Sequence, residues 1–172
     1  FEALLRIAEA EAGARRAAFA PIDLVPVLAD VAEFYGAVAE SRGQVIETDL
    51  PERLDLVGDR DLLAQAAGNL LDNALKFTPA GGTVRLSAHV GPRDGIEVTV
   101  SDTGPGLPPE DRARAGERFF RADASRGTPG SGLGLSLVQA VAHLHGGELV
   151  LDDAAPRASS PGLRASIRLG GA

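Results

Sequence analysis

Two runs of alternating apolar and polar residues, separated by a short turn, constrain the fold of this chain more than any other feature of its sequence. The runs extend from Thr83 to Val90 and from Ile96 to Val100, and the five residues between them read Gly-Pro-Arg-Asp-Gly. An alternation with a period of two places one face of a strand in a core and the other in solvent. The two runs therefore predict a β-hairpin with one apolar face.

The segments around this hairpin alternate between helical and extended patterns. Amphipathic helices are predicted at Asp23 to about Arg42, Leu62 to Lys76 and about Leu133 to His145. Asp23 and Asp59 are the predicted N-caps of the first two. Short strands are predicted at Val45 to Asp49, Leu54 to Val57, Glu148 to Leu151 and Leu163 to Leu169. This order predicts an α/β (α+β) two-layer sandwich, in which a mixed, mostly antiparallel sheet of about five strands packs on about three helices.

The start of the chain has the pattern of a separate element. Apolar residues recur at helical spacing from Phe1 to Arg16, and an extended link follows at Phe19 to Ile22. The sequence contains no methionine and opens within this helical pattern. We therefore expect a fragment of a longer protein, beginning with the tail of a helix whose partner is missing.

Composition and charge exclude several functional classes. With 172 residues, 44% of them hydrophobic, the chain is large enough to bury a core. Asp and Glu number 24 against 17 Lys and Arg, and the net charge of -7 disfavours nucleic acid as a partner. The absence of cysteine excludes thiol chemistry, and no apolar run approaches the roughly 18 residues of a membrane helix. No membrane contact is expected of these residues.

One face of the helix predicted from Leu62 to Lys76 is polar. It carries, at spacings of three and four, Gln65, Asn69, Asn73, Lys76 and Phe77. Lys76 is the only lysine, and a compact ammonium suits a phosphate oxygen. Asparagine oxygens suit Mg²⁺. The face is a candidate site for phosphate and magnesium, and a solvated helix surface is the alternative.

The strand predicted from Ile96 is followed closely by an aspartate, Asp102. Asp102 has the same parity as the apolar residues of this strand, so its side chain is predicted to point into the core. A buried carboxylate needs donors, either protein N–H groups or an amino group of a ligand. The segment Thr103 to Gly106, Thr-Gly-Pro-Gly, offers backbone that a flat ligand can approach closely. An Asx turn that closes the strand is the alternative.

A glycine-rich segment, Gly130 to Leu135, leads into the last predicted helix. The free N–H groups and the positive dipole end at a helix start can bind phosphate. The segment is neither a dinucleotide fingerprint, because Leu137 stands where the third glycine would fall, nor a GxxxxGK[ST] loop. An ordinary helix cap after a flexible loop is the alternative.

Four segments in sequence order resemble the ATP-binding catalytic domain of sensor histidine kinases, in the GHKL ATPase superfamily. They are similar to its asparagine, first glycine, phenylalanine and second glycine boxes, and read NLLDNALKF (69–77), SDTGPGLPPED (101–111), ERFFRAD (117–123) and GSGLGLSLV (130–138). LLRIAEAEAG near the start is similar to the end of the dimerisation helix, and HGGEL (145–149) to a closing turn. The resemblance implies a Bergerat ATP-binding fold over residues 21–172. Residues 1–20 would be the end of the dimerisation and histidine-phosphotransfer helix, with its linker.

The resemblance also implies roles for individual residues. Asn73 would hold Mg²⁺, and Asn69 would lie at the phosphates and assist the transfer. Lys76 would contact phosphate, Phe77 would lie near the adenine, and Asp102 would accept a hydrogen bond from the adenine amino group. The other implied nucleotide-binding residues lie in the two glycine boxes, at Gly104, Gly106, Ser131, Gly132, Leu133 and Gly134. The implied lid contains Arg118, Phe119, Phe120 and Arg121.

The implied reaction is transfer of the ATP γ-phosphoryl group to a histidine of an upstream dimerisation domain, then to an aspartate of a response regulator. A homodimer and a cytoplasmic location are expected, and an anchor in the bacterial inner membrane is left open. The family's acceptor histidine lies upstream of Phe1, whereas His89 is predicted to point outward and His143 and His145 end a helix. This fragment is therefore expected to bind ATP without supplying an acceptor. Ala115 and Gly116 stand where the family often has an aliphatic-Phe pair.

Other families share parts of this pattern. Anti-sigma serine kinases, gyrase-type topoisomerases and chaperones have asparagine and glycine boxes but usually lack an ERFFRAD-like segment closely followed by GSGLGL. The triplet from Asp102 to Gly104, Asp-Thr-Gly, also resembles that of aspartic proteases, which need two carboxylates in one site, and the sequence has no second triplet. A non-catalytic nucleotide-binding scaffold stays an alternative.

Overall fold

A computed structural model of the chain describes residues 19–114 and 134–170. Its strands are β1 (Ala20–Asp23), β2 (Val45–Asp49), β3 (Asp55–Gly58), β4 (Thr83–Val90), β5 (Ile96–Asp102), β6 (Glu148–Asp153) and β7 (Leu163–Leu169). Its α-helices are α1 (Leu24–Ser41), α2 (Arg60–Phe77), α3 (Pro109–Arg114) and α4 (Gly134–Leu144). The predicted two-layer α/β sandwich is confirmed.

The main sheet is mixed, as expected. Its five strands lie in the order β2-β4-β5-β7-β6, with β2 parallel to β4 and every other pair antiparallel. The predicted hairpin pairs β4 with β5, and its turn holds Arg93 and Asp94 at positive φ. β7, the last strand in sequence, lies inside the sheet between β5 and β6.

Both predicted N-caps are present. The Asp23 carboxylate accepts the N–H of Val25 at 3.1 Å and that of Leu54 at 3.0 Å, and Asp59 accepts the N–H of Leu62 at 3.0 Å. Each cap satisfies backbone donors that a helix start leaves without partners. The start of α1 is therefore fixed to the segment before β3, and the start of α2 is fixed by its own cap.

The core lies between the helices and one face of the main sheet. The apolar face expected for α2 is buried, with exposures of at most 4% at Leu63, Ala67, Leu70, Leu71 and Ala74. It packs with α1 and α4 and with inward residues of the central strands, such as Val84 and Val100. Within the described ranges, no helix is both long enough and apolar enough to cross a lipid bilayer.

Two elements depart from the sequence-based expectation. The segment predicted as an extended link forms β1, which pairs antiparallel with β3 in a separate two-stranded sheet. The four residues of β1 include a proline, so no alternating pattern is long enough to indicate a strand. Within the predicted long loop after Asp102, residues 109–114 form α3. The predicted boundary between residues 20 and 21 stays a prediction, because residues 1–18 lie outside the described ranges.

His145 joins the end of α4 to the start of α2. Its Nε2 accepts the N–H of Asp59 at 3.0 Å, so its proton lies on Nδ1, which is 2.8 Å from the carbonyl oxygen of Val141. The ring of Phe19 stacks on the imidazole, with centroids 4.5 Å apart. The predicted structural role of this histidine at the HGGEL turn fits these contacts. His89, as predicted, is exposed.

Candidate functional site

Asp102 ends β5 with its side chain in the core, as strand parity predicts. Only 6% of its surface is exposed. Its Oδ1 accepts the N–H of Gly104 at 2.9 Å and that of Leu163 at 3.2 Å. Burial raises the pKa of this carboxyl, and the two backbone hydrogen bonds oppose that rise. Among the residues that the structure describes, none donates to Oδ2. One carboxylate oxygen is therefore left to accept from a ligand.

Gly104 lies where the end of α2 meets the segment after β5. A Cβ atom at this position would collide with the carbonyl oxygen of Phe77 and lie 3.1 Å from Oδ1 of Asp102. The close approach at this glycine is made by protein backbone, and the approach of a flat ligand stays a prediction. Gly106 has φ +78°, and a Cβ there would lie 2.7 Å from the carbonyl oxygen of Gly162. Gly104 thus allows the end of α2 to approach Asp102, and Gly106 allows the segment after β5 to approach the β6 to β7 connection.

The polar face of α2 ends at Phe77, whose carbonyl oxygen lies against Gly104. Asn69, Asn73, Lys76 and Phe77 are half-buried, whereas Gln65 is exposed. Within the described ranges the amides of Asn69 and Asn73 have no hydrogen-bond partner. Their side chains are one helical turn apart, so both can reach one ligand.

Lys76 is paired along the same helix. Its Nζ lies 3.0 Å from Oδ2 of Asp72, and both side chains are partly exposed, at 29% and 38%. The pair is an i, i+4 contact on the helix that also carries Asn73. Asp72 carried no prediction of its own, although its position four residues before the only lysine is the signal that could have indicated the pair.

Gln44 supports the end of α2 from the α1 to β2 connection. It is 6% exposed, and its Nε2 donates to the carbonyl of Leu75 at 2.8 Å and to that of Thr78. Carbonyls in the last turn of a helix otherwise lack partners. The two accepted bonds flank Lys76 and Phe77, so Gln44 fixes the turn that presents them. Sequence reasoning missed it, because a glutamine after Gly43 reads as a loop residue.

A second set of residues that sequence reasoning missed lies in the β6 to β7 connection and at the first position of β7. Leu163 donates to Asp102, Gly162 donates from its N–H to the carbonyl of Gly104 at 2.9 Å, and Ser160 Oγ donates to the same carbonyl at 2.7 Å. The pairing of β5 with β7 places Ser101 opposite Arg164, and therefore brings this segment to Asp102. The signal available in the sequence was the glycine just before a strand.

Several predicted site residues fall outside the described ranges. They are the residues of the second glycine box and of the expected lid, namely Arg118, Phe119, Phe120, Arg121, Ser131, Gly132 and Leu133, together with Gly116. Gly134 is described. It is exposed at the first position of α4, and a Cβ there would meet no atom within 4 Å in the part of the chain that the structure describes.

Comparison with known proteins supports a nucleotide site. Residues 58–170 match the family described as histidine kinase-, DNA gyrase B- and HSP90-like ATPase. The signal transduction histidine-protein kinase/phosphatase MprB of Mycolicibacterium smegmatis is 47% identical over 114 residues, which are 66% of this chain and 23% of that protein. MprB of Mycobacterium leprae is 42% identical over 116 residues, which are 67% of this chain and 22% of that protein. The chain thus spans about a quarter of the length of these relatives.

Solved structures agree in fold. The mycobacterial sensor histidine kinase MprB superimposes with a TM-score of 0.81 at 36% identity, covering 87% of this chain and 97% of that one. The ATP-binding domain of PrrB from Mycobacterium tuberculosis gives a TM-score of 0.68 at 29% identity, covering 90% and 98%. The chain therefore belongs to the histidine kinase-, DNA gyrase B- and HSP90-like ATPase family, as the ATP-binding catalytic domain of a sensor histidine kinase.

Proposed function

We propose that this domain binds Mg²⁺-ATP between Asp102 and the polar face of α2. In the intact protein it then transfers the γ-phosphoryl group to a histidine of a dimerisation domain, for onward transfer to a response-regulator aspartate. The intact protein would be a homodimer. Its catalytic end would lie in the cytoplasm, because ATP is a cytoplasmic metabolite. The observation that carries this proposal is the buried carboxylate of Asp102, fixed through one oxygen and open at the other.

The Asp102 end of the site suits an adenine. The exocyclic amino group of adenine donates hydrogen bonds, and a buried carboxylate oxygen is a strong acceptor for one of them. Backbone N–H groups of Gly104 and Leu163 hold the carboxylate in place before any ligand arrives. Gly104 and Gly106 keep side chains away from this end, so a flat ring can approach the backbone.

The α2 face suits the phosphates. Lys76 supplies a positive charge, and the amide oxygens of Asn69 and Asn73 are the hard ligands that Mg²⁺ prefers, with water completing its shell. We assign Mg²⁺ to Asn73, with Asn69 at the phosphates. A bound Mg²⁺ would neutralise phosphate charge. Gly134, at the start of α4, belongs to the same proposed phosphate end. We assign Ser131, Gly132 and Leu133 to that end as well.

In the proposed reaction this chain supplies position and charge. The unprotonated nitrogen of the acceptor imidazole forms a bond to the γ-phosphorus while the bond from that phosphorus to the leaving oxygen of ADP breaks. The proton on the other ring nitrogen then passes to solvent water. Asp102 orients the base, while Lys76 and Asn69 stabilise charge on the phosphoryl oxygens. Phosphoryl transfer of this kind depends on positioning and electrostatics more than on covalent chemistry by the protein.

The test is phosphotransfer to an added acceptor. The chain is incubated with radiolabelled ATP, Mg²⁺ and the dimerisation domain of the same protein, and acid-labile, base-stable label on the histidine is measured. We expect labelling that requires both Mg²⁺ and Asp102. Nucleotide binding without label at high protein concentration would favour the non-catalytic scaffold, and no binding of ADP in calorimetry would contradict the nucleotide site itself.

The substitution Lys76→Ala tests the phosphate end. We expect it to weaken ATP binding by about tenfold and to leave adenosine binding unchanged, because one charged contact to phosphate is lost and Asp72 is left unpaired beside the phosphates. Calorimetric titration with both ligands measures the difference. Arg60→Ala, at the opposite end of α2, is the control for a lost positive charge. Equal losses for ATP and adenosine would remove the phosphate role of Lys76.

A further inference from the structure

The connection between β6 and β7 is a structured loop. The N–H of Ala154 donates to the carbonyl of Gly162 at 3.3 Å, and the N–H of Ala155 donates to that of Pro161 at 2.7 Å. The N–H of Ala158 donates to the carbonyl of Ala155 at 3.0 Å and closes the tip. The pairing of the two strands thus continues into the loop, which fixes the backbone that carries Ser160.

Two donors of this loop bind one carbonyl group at the candidate adenine end. The oxygen of Gly104 accepts both the N–H of Gly162, at 2.9 Å, and the hydroxyl of Ser160, at 2.7 Å. The N–H of Gly104, at the other side of the same residue, donates to Oδ1 of Asp102 at 2.9 Å. Ser160 and the carboxylate are therefore connected through one glycine.

A glycine does not hold its own conformation. With no Cβ, Gly104 can adopt many backbone angles, and the turn from Asp102 to Gly104 keeps one geometry only where hydrogen bonds fix it. Loss of one of the two donors to its carbonyl would let this residue rotate. The N–H that restrains Asp102 would then move as well, and the open oxygen of Asp102 would lose its alignment with a base.

We propose that Ser160 is a positioning residue for adenine, whose hydroxyl holds Gly104, and through it Asp102, in the geometry that binds the base. This inference rests on the proposed nucleotide site and adds to it a residue from a loop that the sequence pattern left without a role. The hydroxyl donates to a protein carbonyl, so we assign it the role of holding the backbone beneath the base. Its removal should therefore change affinity for every adenine-containing ligand by the same factor.

The chain offers a matched control in the neighbouring residue. Ser159 is exposed like Ser160, and its hydroxyl has no partner among the described residues. Ser160→Ala is expected to weaken ADP and adenosine equally, by about three- to tenfold, with binding of tripolyphosphate unchanged. Ser159→Ala should leave all three affinities unchanged, and Ser160→Thr should restore binding because it keeps the hydroxyl.

Calorimetric titration with the three ligands, together with the KM for ATP in phosphotransfer, separates the outcomes. A raised KM with an unchanged kcat, alongside equal losses for ADP and adenosine, supports positioning of the base. The inference is overturned if Ser160→Ala matches Ser159→Ala, or if tripolyphosphate binding falls as much as adenosine binding. Failure of the unsubstituted chain to bind ADP or adenosine would instead contradict the proposed function. Should Ser160→Ala lower the melting temperature, Ser160→Cys keeps the volume and weakens only the donor.

Discussion

Asp102→Asn is expected to weaken ADP binding by about ten- to hundredfold and, at the same time, to raise the melting temperature of the unliganded protein. The amide oxygen can keep both hydrogen bonds that Oδ1 accepts from the backbone of Gly104 and Leu163. The amide nitrogen, however, replaces the open carboxylate oxygen with a donor. Facing the donor amino group of adenine, it would turn a favourable contact into an unfavourable one.

The gain in stability follows from the direction of the pKa shift. Burial raises the pKa of Asp102 above its ordinary value of 3.8, so the folded protein holds this proton more tightly than the unfolded chain does. The contribution of this group to stability is fully present below pH 3.8 and is lost as the pH rises through the raised pKa. At neutral pH the ionised carboxylate therefore destabilises the unliganded fold, and the neutral amide removes that cost.

Thermal melts of the two proteins across a pH series, with ADP titrations at neutral pH, measure both effects. The stability difference in favour of Asp102→Asn should grow from acid to neutral pH. Asp94→Asn, an exposed carboxylate at positive φ in the β4 to β5 turn, removes the same charge and should change neither property. Unaltered ADP affinity in Asp102→Asn would disprove the adenine contact. A lowered melting temperature at neutral pH would disprove the destabilisation of the fold by the buried, ionised carboxylate.

Gly104→Ala is expected to abolish detectable ADP binding and to destabilise the fold by about 1–3 kcal/mol. The added methyl group would collide with the carbonyl oxygen of Phe77, which is backbone and cannot move aside as a side chain can. The end of α2 and the segment after β5 would have to separate. That separation would pull the phosphate end of the site away from its adenine end.

Urea denaturation and ADP titration of this variant test the close approach. Gly36→Ala is the matched control, because a Cβ at that position in α1 meets no atom of the described residues within 4 Å. It should increase stability by up to about 1 kcal/mol, since alanine favours a helix over glycine. If Gly104→Ala bound ADP normally, the contact with Phe77 would have no part in forming the site.

Much of this architecture is readable from local sequence. The N-caps at Asp23 and Asp59 were predicted from residue type beside an apolar pattern, and the burial of Asp102 from the parity of its strand. Both inferences work because they depend on a few neighbouring residues. The order of the sequence boxes supplied the family, which the comparisons confirm.

The residues that hold the site in place from distant parts of the chain could not be predicted from local sequence. Gln44 acts on carbonyls 31 and 34 residues away, and Ser160 on one 56 residues away. Neither residue has a distinctive pattern around it, and their partners are backbone atoms, which every residue has. Such contacts depend on how the strands are ordered in the sheet. The roles of the residues in the second glycine box and the expected lid stay predictions.

The position of β7 has a consequence for how this domain is made. As the last strand to leave the ribosome among the described elements, it must enter between β5 and β6, both of which are synthesised earlier. Until residues 163–169 emerge, β5 has one partner strand instead of two, and Asp102 lacks the N–H of Leu163. Pairing of strands so distant in sequence is slow and leaves open edges exposed. A nascent chain should therefore gain nucleotide affinity in a single late step, when its final strand closes the sheet.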